Sequence, residues 1–315
     1  MIFSRSCHVM LLMSTALLYQ RECWAWGGEG HRIIALVAEE LLQAQDPPAQ
    51  KKLAGILATD KSNPWTKTDI GDESTWADAL REKSPEGRVA TSKWHYVKLD
   101  ADKPDLKQAC FGRAGLPAMT PASHAPQENC AVDKIAQFAR ELRDPETYDT
   151  ERLMALQFLL NVVGDIHDPL YTIEHNDQSG QCTAVLPPGA KTPVRLSVYW
   201  DETLVTEAEG KDPVKAAGQI VAALSAGEIQ NWSGGTPEQW AQESYNLAKT
   251  VVYNLQKPGG SKFRSSEQKG ESKPCGPVDV HNLDANYQNR AMATIREQLA
   301  KAGVRLAFLL RENLK

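Results

Sequence analysis

Apolar residues recur at helical spacing along most of the chain, and few segments alternate between apolar and polar positions. Residues 31–44 carry an apolar face that includes Ile34, Val37 and Leu41, which predicts an amphipathic helix. Residues 150–167 have an almost wholly apolar centre, so we expect this helix to be buried in a bundle. Further helices are predicted over 49–59, 74–81, 133–142, 198–205, 214–224, 236–255 and 284–313, the last with Gly303 as a candidate break.

The segments between these helices are rich in glycine and proline. Residues 100–129 and 176–194 are predicted to be irregular loops, and residues 257–280 a mobile loop. Only residues 93–99 alternate enough to predict a brief extended piece. The pattern therefore predicts a single all-α domain, mainly helical and without internal repeats.

The first residues are typical of an export signal. A basic Arg5 precedes the apolar run 9–18, which is shorter than the roughly 20 residues that a membrane-spanning helix needs. Small residues at Cys23 and Ala25 predict a signal peptide over 1–25 and a mature domain over 26–315. The alternative is an uncleaved anchor. No later segment is apolar enough to span a membrane, so we expect a secreted or periplasmic protein without membrane contact.

The predicted leader also contains Cys7 and Cys23. An even number of cysteines remains, which predicts two disulfides in an exported chain; the four are Cys110, Cys130, Cys182 and Cys275. Three pairings are open, of which we expect Cys110–Cys130 with Cys182–Cys275. A zinc–thiolate cluster is the alternative, but no CxxC spacing supports it.

The formal net charge is −5, which excludes a broad basic surface for nucleic acid. If this protein acts on phosphodiesters, metal ions must supply positive charge locally.

Several polar residues lie in unusual settings. A mature N-terminus at Trp26 could chelate a metal through its α-amine and carbonyl, with His31 nearby to complete the site. Asp78 precedes Arg81 by one helical turn, a spacing that is equally typical of an ion pair. His95 lies between aromatic residues, a setting also typical of a packed core histidine.

The end of the most apolar helix is harder to explain by structure alone. Asp165, His167 and Asp168 lie at its C-terminal end. Buried charges there need partners or a metal, and acidic groups at the C-terminus of a helix oppose the helix dipole. Asp201 follows Tyr199 and Trp200 in a comparable aromatic setting. These groups are therefore candidates for a functional site.

Six segments taken in order resemble the S1/P1 nuclease family over nearly the whole mature chain. They are Trp26 with Gly30-His31, residues 76–81 (WADALR), residues 94–97 (WHYV), residues 164–170 (GDIHDPL), residues 199–201 (YWD) and residues 302–307 (AGVRLA). The resemblance implies a mainly helical fold similar to zinc-dependent phospholipase C. It also implies three zinc ions and hydrolysis of single-stranded DNA and RNA, with 3′-nucleotides as further substrates of many members.

The ligand sets follow from the resemblance, and three positions depart from it. The first zinc would be held by Trp26, His31 and Asp165, all present. The second would be held by Asp78, His95 and Asp165, with Asn161 in place of a histidine. At the third, the two histidine positions are Tyr171 and Ser197, and only Asp201 is retained.

Zinc prefers nitrogen and sulfur ligands, so we expect two zinc sites and loss of the third. His175, four residues after Tyr171, is the one candidate substitute for a lost ligand. Lys98 lies where many members have Asp or Asn.

The resemblance also implies roles in hydrolysis by metal-activated water. Asp165 would bridge two metals, Asp78 would orient the water and Arg81 would stabilise charge on the phosphoryl oxygens. Tyr96 would stack on a base of the single-stranded or nucleotide substrate. Two alternatives remain: a degenerate member that binds nucleotide without turnover, and a lipid phosphodiesterase of the phospholipase C type.

Overall fold

A computed structural model describes residues 25–61, 63–264 and 275–315. The helices of this part of the chain are α1 (Gly27–Gln45), α2 (Pro47–Leu57), α3 (Ile70–Glu73), α4 (Trp76–Lys83), α5 (Pro85–Thr91), α6 (Leu106–Ala109), α7 (Ala131–Arg143), α8 (Asp149–Asp165), α9 (Leu196–Val198), α10 (Val205–Glu209), α11 (Pro213–Ala223), α12 (Ala226–Trp232), α13 (Pro237–Leu247) and α14 (Ala285–Asn313). The strands are β1 (Leu99–Asp100), β2 (Ile173–Glu174), β3 (Ala184–Leu186), β4 (Val194–Arg195), β5 (Pro258–Phe263) and β6 (Val278–Asn282). Helices dominate, as predicted.

Helix α8 lies at the centre, with every side chain from Ala155 to Asp165 buried. Helix α7 packs along it, and Phe138 stacks on Phe158 with 4.8 Å between ring centroids. Because no face of the second half of α8 reaches solvent, its apolar residues need no helical periodicity. The expectation of a buried central helix is confirmed.

Helices α1 and α14 pack closely against each other. A Cβ atom on Gly303 would lie 2.4 Å from Val37 Cγ1, so only glycine permits this approach of the two backbones. Helix α14 runs unbroken through Gly303, and the expected break there is wrong. The glycine serves helix packing, not helix ending.

Two small sheets complete the fold. Strand β1 pairs in parallel with β2, and a four-stranded sheet has the order β4-β3-β6-β5. Strand β5 and the beginning of β6 lie within the segment 257–280 that was predicted to be a mobile loop, so that prediction is wrong for 258–263 and 278–280; residues 265–274 lie outside the described residues.

The predicted extended piece at 93–99 is also largely wrong. Residues Ser92–His95 form a 3-10 turn, and only Leu99 and Asp100 pair as a strand. Trp94 and His95 are both fully buried. Consecutive side chains of a strand point to opposite faces, so a helical turn is needed to direct both inward.

Both expected disulfides are present, Cys110–Cys130 and Cys182–Cys275. Of the predicted leader, only Ala25 falls among the described residues, and it is buried beside Trp26. No described helix is long and apolar enough to cross a membrane.

Candidate metal and active site

The beginning of α1 is fixed against the end of α8. The Trp26 indole donates a hydrogen bond to the Gly164 carbonyl at 2.9 Å, and the Trp26 backbone nitrogen donates to Asp168 Oδ2 at 3.1 Å. A Cβ on Gly164 would lie 2.8 Å from His31 Nδ1, so the His31 ring rests directly on the α8 backbone. These contacts bring Trp26 and His31 to the residues at the end of α8.

Asp165 lies at the centre of the site, with each carboxylate oxygen facing a different histidine. Oδ1 is 3.4 Å from His31 Nε2, and Oδ2 is 2.8 Å from His95 Nδ1. Burial alone would raise the pKa of Asp165, but His95 and His31 outweigh it and lower that pKa below its usual value. A carboxylate placed in this way has the arrangement of a bridging ligand.

Asp78 reaches the same histidines from α4. Its oxygens lie 3.6 Å from His31 Nε2 and 4.0 Å from His95 Nδ1, and Oδ1 is 3.8 Å from Arg81 Nη1. The structure thus brings together four side chains that are spread over more than a hundred residues of sequence: His31, Asp78, His95 and Asp165.

Asn161 lies beside them on α8. Its amide nitrogen donates to Asp78 Oδ2 at 3.0 Å and to the Ser74 carbonyl at 2.9 Å. Its Oδ1 is buried and makes no hydrogen bond within the described part of the chain. The amide therefore offers one oxygen ligand where a histidine would offer nitrogen.

The two histidines differ in electrostatics. Burial lowers the pKa of His31, but Asp165 and Asp78 outweigh burial and raise that pKa above its ordinary value. Burial and the Arg81 charge lower the pKa of His95. A neutral imidazole is the form that binds metal, so His95 is already prepared for ligation.

We tested whether these residues fit zinc. Bonds of about 2.0–2.1 Å place two ligands of one tetrahedral zinc about 3.4 Å apart. In the first expected set, His31 Nε2 and Asp165 Oδ1 lie 3.4 Å apart, which matches this spacing. In the second expected set, His95 Nδ1 lies 2.8 Å from Asp165 Oδ2 and 4.0 Å from Asp78 Oδ1, so these side chains would have to shift. Among the described residues, both ring nitrogens of His31 and Nε2 of His95 are buried without a well-formed hydrogen bond. Such atoms cost about 1–3 kcal/mol each unless a ligand satisfies them. Donor types therefore fit zinc in both sets, and the pair spacing fits zinc in the first.

In the described part of the chain, the potential ligand atoms of this site approach one another in pairs, but no three of them lie around one common point. Within 25–61, 63–264 and 275–315, the one trio of potential ligands with all its donor atoms within 4.8 Å of one another is Cys110, Cys130 and Asp133. Its two sulfurs form a disulfide and are not thiolate ligands. Metal binding at the candidate site therefore requires small side-chain rotations.

The expected third site has a different chemistry. Its three positions, Tyr171, Ser197 and Asp201, are buried and offer oxygen, as does the neighbouring Asp168. Burial, with the charge of Asp165, raises the pKa of Asp168 to about 7, and the Asp201 carboxyl acts on that pKa in the opposite direction. This set does not fit a zinc site, which requires nitrogen or sulfur. His175, the candidate substitute, stacks on Tyr253 with 3.9 Å between ring centroids.

The site thus has two parts. We call His31, Asp78, His95, Asn161 and Asp165 the histidine half, and Asp168, Tyr171, Ser197 and Asp201 the oxygen half.

The turn 164–168 carries carboxylates of both halves and is anchored from the opposite side. His167 donates from Nδ1 to the Val163 carbonyl at 2.7 Å and accepts at Nε2 from Arg305 at 3.0 Å. Arg305 also donates from Nη2 to both carboxylate oxygens of Glu243, at 2.9 and 2.7 Å. Burial and the Arg305 charge lower the pKa of His167 to about 3, so its ring is neutral.

Sequence reasoning assigned no role to Arg305 or to the Trp26–Asp168 contact. Arg305 lies within the segment 302–307 that carries part of the family resemblance, which is the one signal that could have singled it out.

Tyr96 lies at the rim of the histidine half and is only partly buried. Burial raises its pKa, and the Arg81 charge acts in the opposite direction, so the phenol and the guanidinium are near each other. Lys98 Nζ lies 4.9 Å from the Tyr96 ring centroid.

Comparisons with known proteins identify the family of this chain. The family model for S1/P1 nuclease matches residues 26–315. Endonuclease 4 of Arabidopsis thaliana is 25% identical, over 95% of this chain and 92% of its own length. Nuclease P1 of Penicillium citrinum is 24% identical over 91% and 97%, and nuclease S1 of Aspergillus oryzae 22% identical over 91% of each chain. The chain therefore belongs to the S1/P1 nuclease family.

Proposed function

We propose that this protein is an exported, metal-dependent endonuclease that hydrolyses phosphodiester bonds of single-stranded nucleic acid, with 3′-nucleotides as a second substrate class. The relatives named above are nucleases, which supports a nuclease or phosphodiesterase function. The observation that carries the proposal is Asp165, whose two oxygens face His31 and His95 separately. A bridging carboxylate between two imidazoles is the framework of a two-metal hydrolase.

The proposed ligands divide between two zinc ions. Trp26, His31 and Asp165 would hold one, and Asp78, His95, Asn161 and Asp165 the other; Asp201 is retained from the family's third set. Zinc, when bound, supplies Lewis-acid polarisation and makes water acidic enough to act as a nucleophile near neutral pH.

The protein side chains position the reactants. Asp78 lies between the two histidines and Arg81, where it can accept a hydrogen bond from the attacking water and orient it. Arg81 would donate to the phosphoryl oxygens as negative charge develops on them. Tyr96, at the rim, would stack on a base, a contact that tolerates any sequence.

The first metal site depends on maturation. The Trp26 nitrogen is an amide while it is joined to Ala25, and an amide nitrogen has no lone pair available for zinc. Removal of the proposed signal peptide, residues 1–25, would convert it to an amine beside Asp168. This dependence is consistent with an exported enzyme that completes its site after cleavage.

The test measures zinc content and cleavage of a single-stranded oligonucleotide on the same protein sample with an authentic Trp26 N-terminus. A matched sample retains Ala25. We expect about two zinc ions per chain with cleavage, and loss of one zinc when Ala25 is retained.

One zinc or fewer without cleavage would overturn the enzyme proposal. It would favour the second candidate, a protein that binds nucleotide without turnover, which the replacement of nitrogen donors at Asn161, Tyr171 and Ser197 supports. Three zinc ions would show that the oxygen half binds metal. Cleavage of phosphatidylcholine without cleavage of single strands would favour the phospholipase C alternative.

A further inference from the structure

A second aromatic side chain lies near Tyr96 with no packing reason for its position. Phe111 is 37% exposed, and its backbone is left-handed with φ 52°. Residues other than glycine adopt this conformation only where the surroundings impose it. The Cys110–Cys130 disulfide begins at the preceding residue and fixes the loop that presents the ring.

Phe111 continues the aromatic surface that begins at Tyr96. The two ring centroids are 6.5 Å apart with the planes at 68°. A lysine accompanies each ring: Lys98 Nζ is 4.9 Å from the Tyr96 centroid, and Lys93 Nζ is 4.9 Å from the Phe111 centroid. The two rings are therefore neighbours, and each has one lysine against it.

The charges around this surface are partly balanced. Lys93 forms an ion pair with Glu128, and Glu174 and Asp177 act on Lys98, whose pKa is lowered chiefly by burial. The two lysines therefore give little long-range attraction, and the rings must provide most of the affinity.

We propose that four residues form a stacking track for a single strand: Tyr96, Lys98, Phe111 and Lys93. Tyr96 stacks on the base next to the cleaved bond, and Phe111 is the platform for the following base on the same side, which a dinucleotide lacks. Aromatic rings combined with nearby cations are the recurring means of holding single strands without sequence preference. The proposal rests on the proposed nuclease function and deepens it. The preferred substrate class is then an oligonucleotide, not a mononucleotide or dinucleotide.

The test compares Phe111→Ala with Met119→Ala on a dinucleotide and on a ten-nucleotide single strand. Met119 is a matched control because it is fully exposed, lies in the same disulfide-closed loop and has φ 60°. We expect Phe111→Ala to raise KM for the longer strand about 10-fold, within the range of one base–aromatic stack, and to leave kcat and the dinucleotide unchanged. Met119→Ala should change neither substrate.

A second variant tests the cations. Lys98→Gln should reduce the slope of log KM against log salt concentration for the longer strand by about 0.7, the value for one phosphate contact on a single strand. An unchanged slope would remove Lys98 from the track.

An equal effect of Phe111→Ala on both substrates, or no effect on the longer one, would overturn the track. If the wild-type protein cleaves neither substrate, the proposed function fails separately. Equilibrium binding of the same ten-nucleotide strand in the presence of EDTA then decides the track: a roughly 10-fold weaker Kd for Phe111→Ala alone supports it, and equal Kd values overturn it. Thermal unfolding of each variant checks that the fold is retained.

Discussion

The two halves of the site are equally buried but differ in donor chemistry. Among the described residues, the histidine half holds three buried imidazole nitrogens without a well-formed hydrogen bond, both nitrogens of His31 and Nε2 of His95. His31 Nε2 lies 3.4 and 3.6 Å from the carboxylates of Asp165 and Asp78. In the oxygen half, burial raises the pKa of Asp168, and the buried side chains offer oxygen alone. Burial alone therefore does not define a zinc site, because zinc also prefers nitrogen or sulfur donors.

The largest expected effect on turnover is the difference between two separate variants, each with one Asp→Asn substitution in a different half. Asp165→Asn removes the charge that faces both histidines, and we expect turnover of a single-stranded oligonucleotide to fall on the order of 10³-fold or more, with loss of zinc. Asp201→Asn should lower turnover less than about 10-fold and leave the zinc content unchanged, because we propose that the oxygen half binds no zinc. Equal losses in the two variants would contradict the comparison.

The second prediction restores a nitrogen donor. Asn161→His should raise the zinc affinity of the second site about 10- to 100-fold, because imidazole is a better zinc ligand than an amide oxygen. Competition against a chelator of known affinity measures this. Asn161 is fully buried, so thermal unfolding must show that the larger ring is accommodated. An unchanged zinc affinity in a folded variant would mean that Asn161 is not a ligand position.

The third prediction concerns the anchor of the turn 164–168. Arg305→Lys keeps the charge but has one nitrogen, whereas Arg305 contacts His167 through Nη1 and Glu243 through Nη2. We expect zinc affinity to fall about 10-fold as the turn that carries Asp165 loosens.

Arg296→Lys is the matched control, because Arg296 lies on the same helix but pairs with Glu209 and the Ala208 carbonyl. A similar loss of thermal stability in both variants, with unchanged zinc affinity in Arg305→Lys, would show that the anchor is merely structural.

The smallest effect is on stability alone. Burial, with the nearby Asp60 charge, raises the pKa of Glu73 from 4.5 to about 7, and Gln157 donates to it from α8 at 2.9 Å. Because the folded-state pKa is the higher one, Glu73 contributes stability below about pH 4.5, and this contribution is lost as the pH rises to about 7.

Glu73→Gln should therefore be more stable than the wild type by about 1–2 kcal/mol at pH 8, with little difference at pH 4.5. Urea unfolding at both pH values measures this, and exposed Glu82→Gln is the control. A variant that is less stable at pH 8 would contradict the assignment.

Much of the helical fold follows from local pattern. Helices α1, α7 and α8 were predicted within a few residues, because spacing of apolar residues is a property of neighbouring positions. Strands β3 and β6 were not predicted, because each is short and they pair with each other across almost a hundred residues of sequence. Each also has an antiparallel partner nearer in the sequence, β4 for β3 and β5 for β6.

The candidate site shows the same division. The family resemblance brought His31, Asp78, His95 and Asp165 into one predicted site, and the structure places them together. Their precise roles remain proposals. The contact of Asp168 with Trp26 and the anchor through Arg305 join distant parts of the chain without any local signature. Such support is visible only in three dimensions.

The place of α14 in the chain has a consequence for timing. This last helix packs on α1 at Gly303, and through Gln298 and Arg305 it holds the turn that carries the bridging carboxylate. During synthesis, α1, α4 and α8 emerge well before it. Until residue 305 has been added and folded, that turn lacks its contacts with Gln298 and Arg305. Under the proposed function, we therefore expect the growing chain to be inactive on RNA until α14 has folded, and removal of α14 from the finished protein to abolish cleavage.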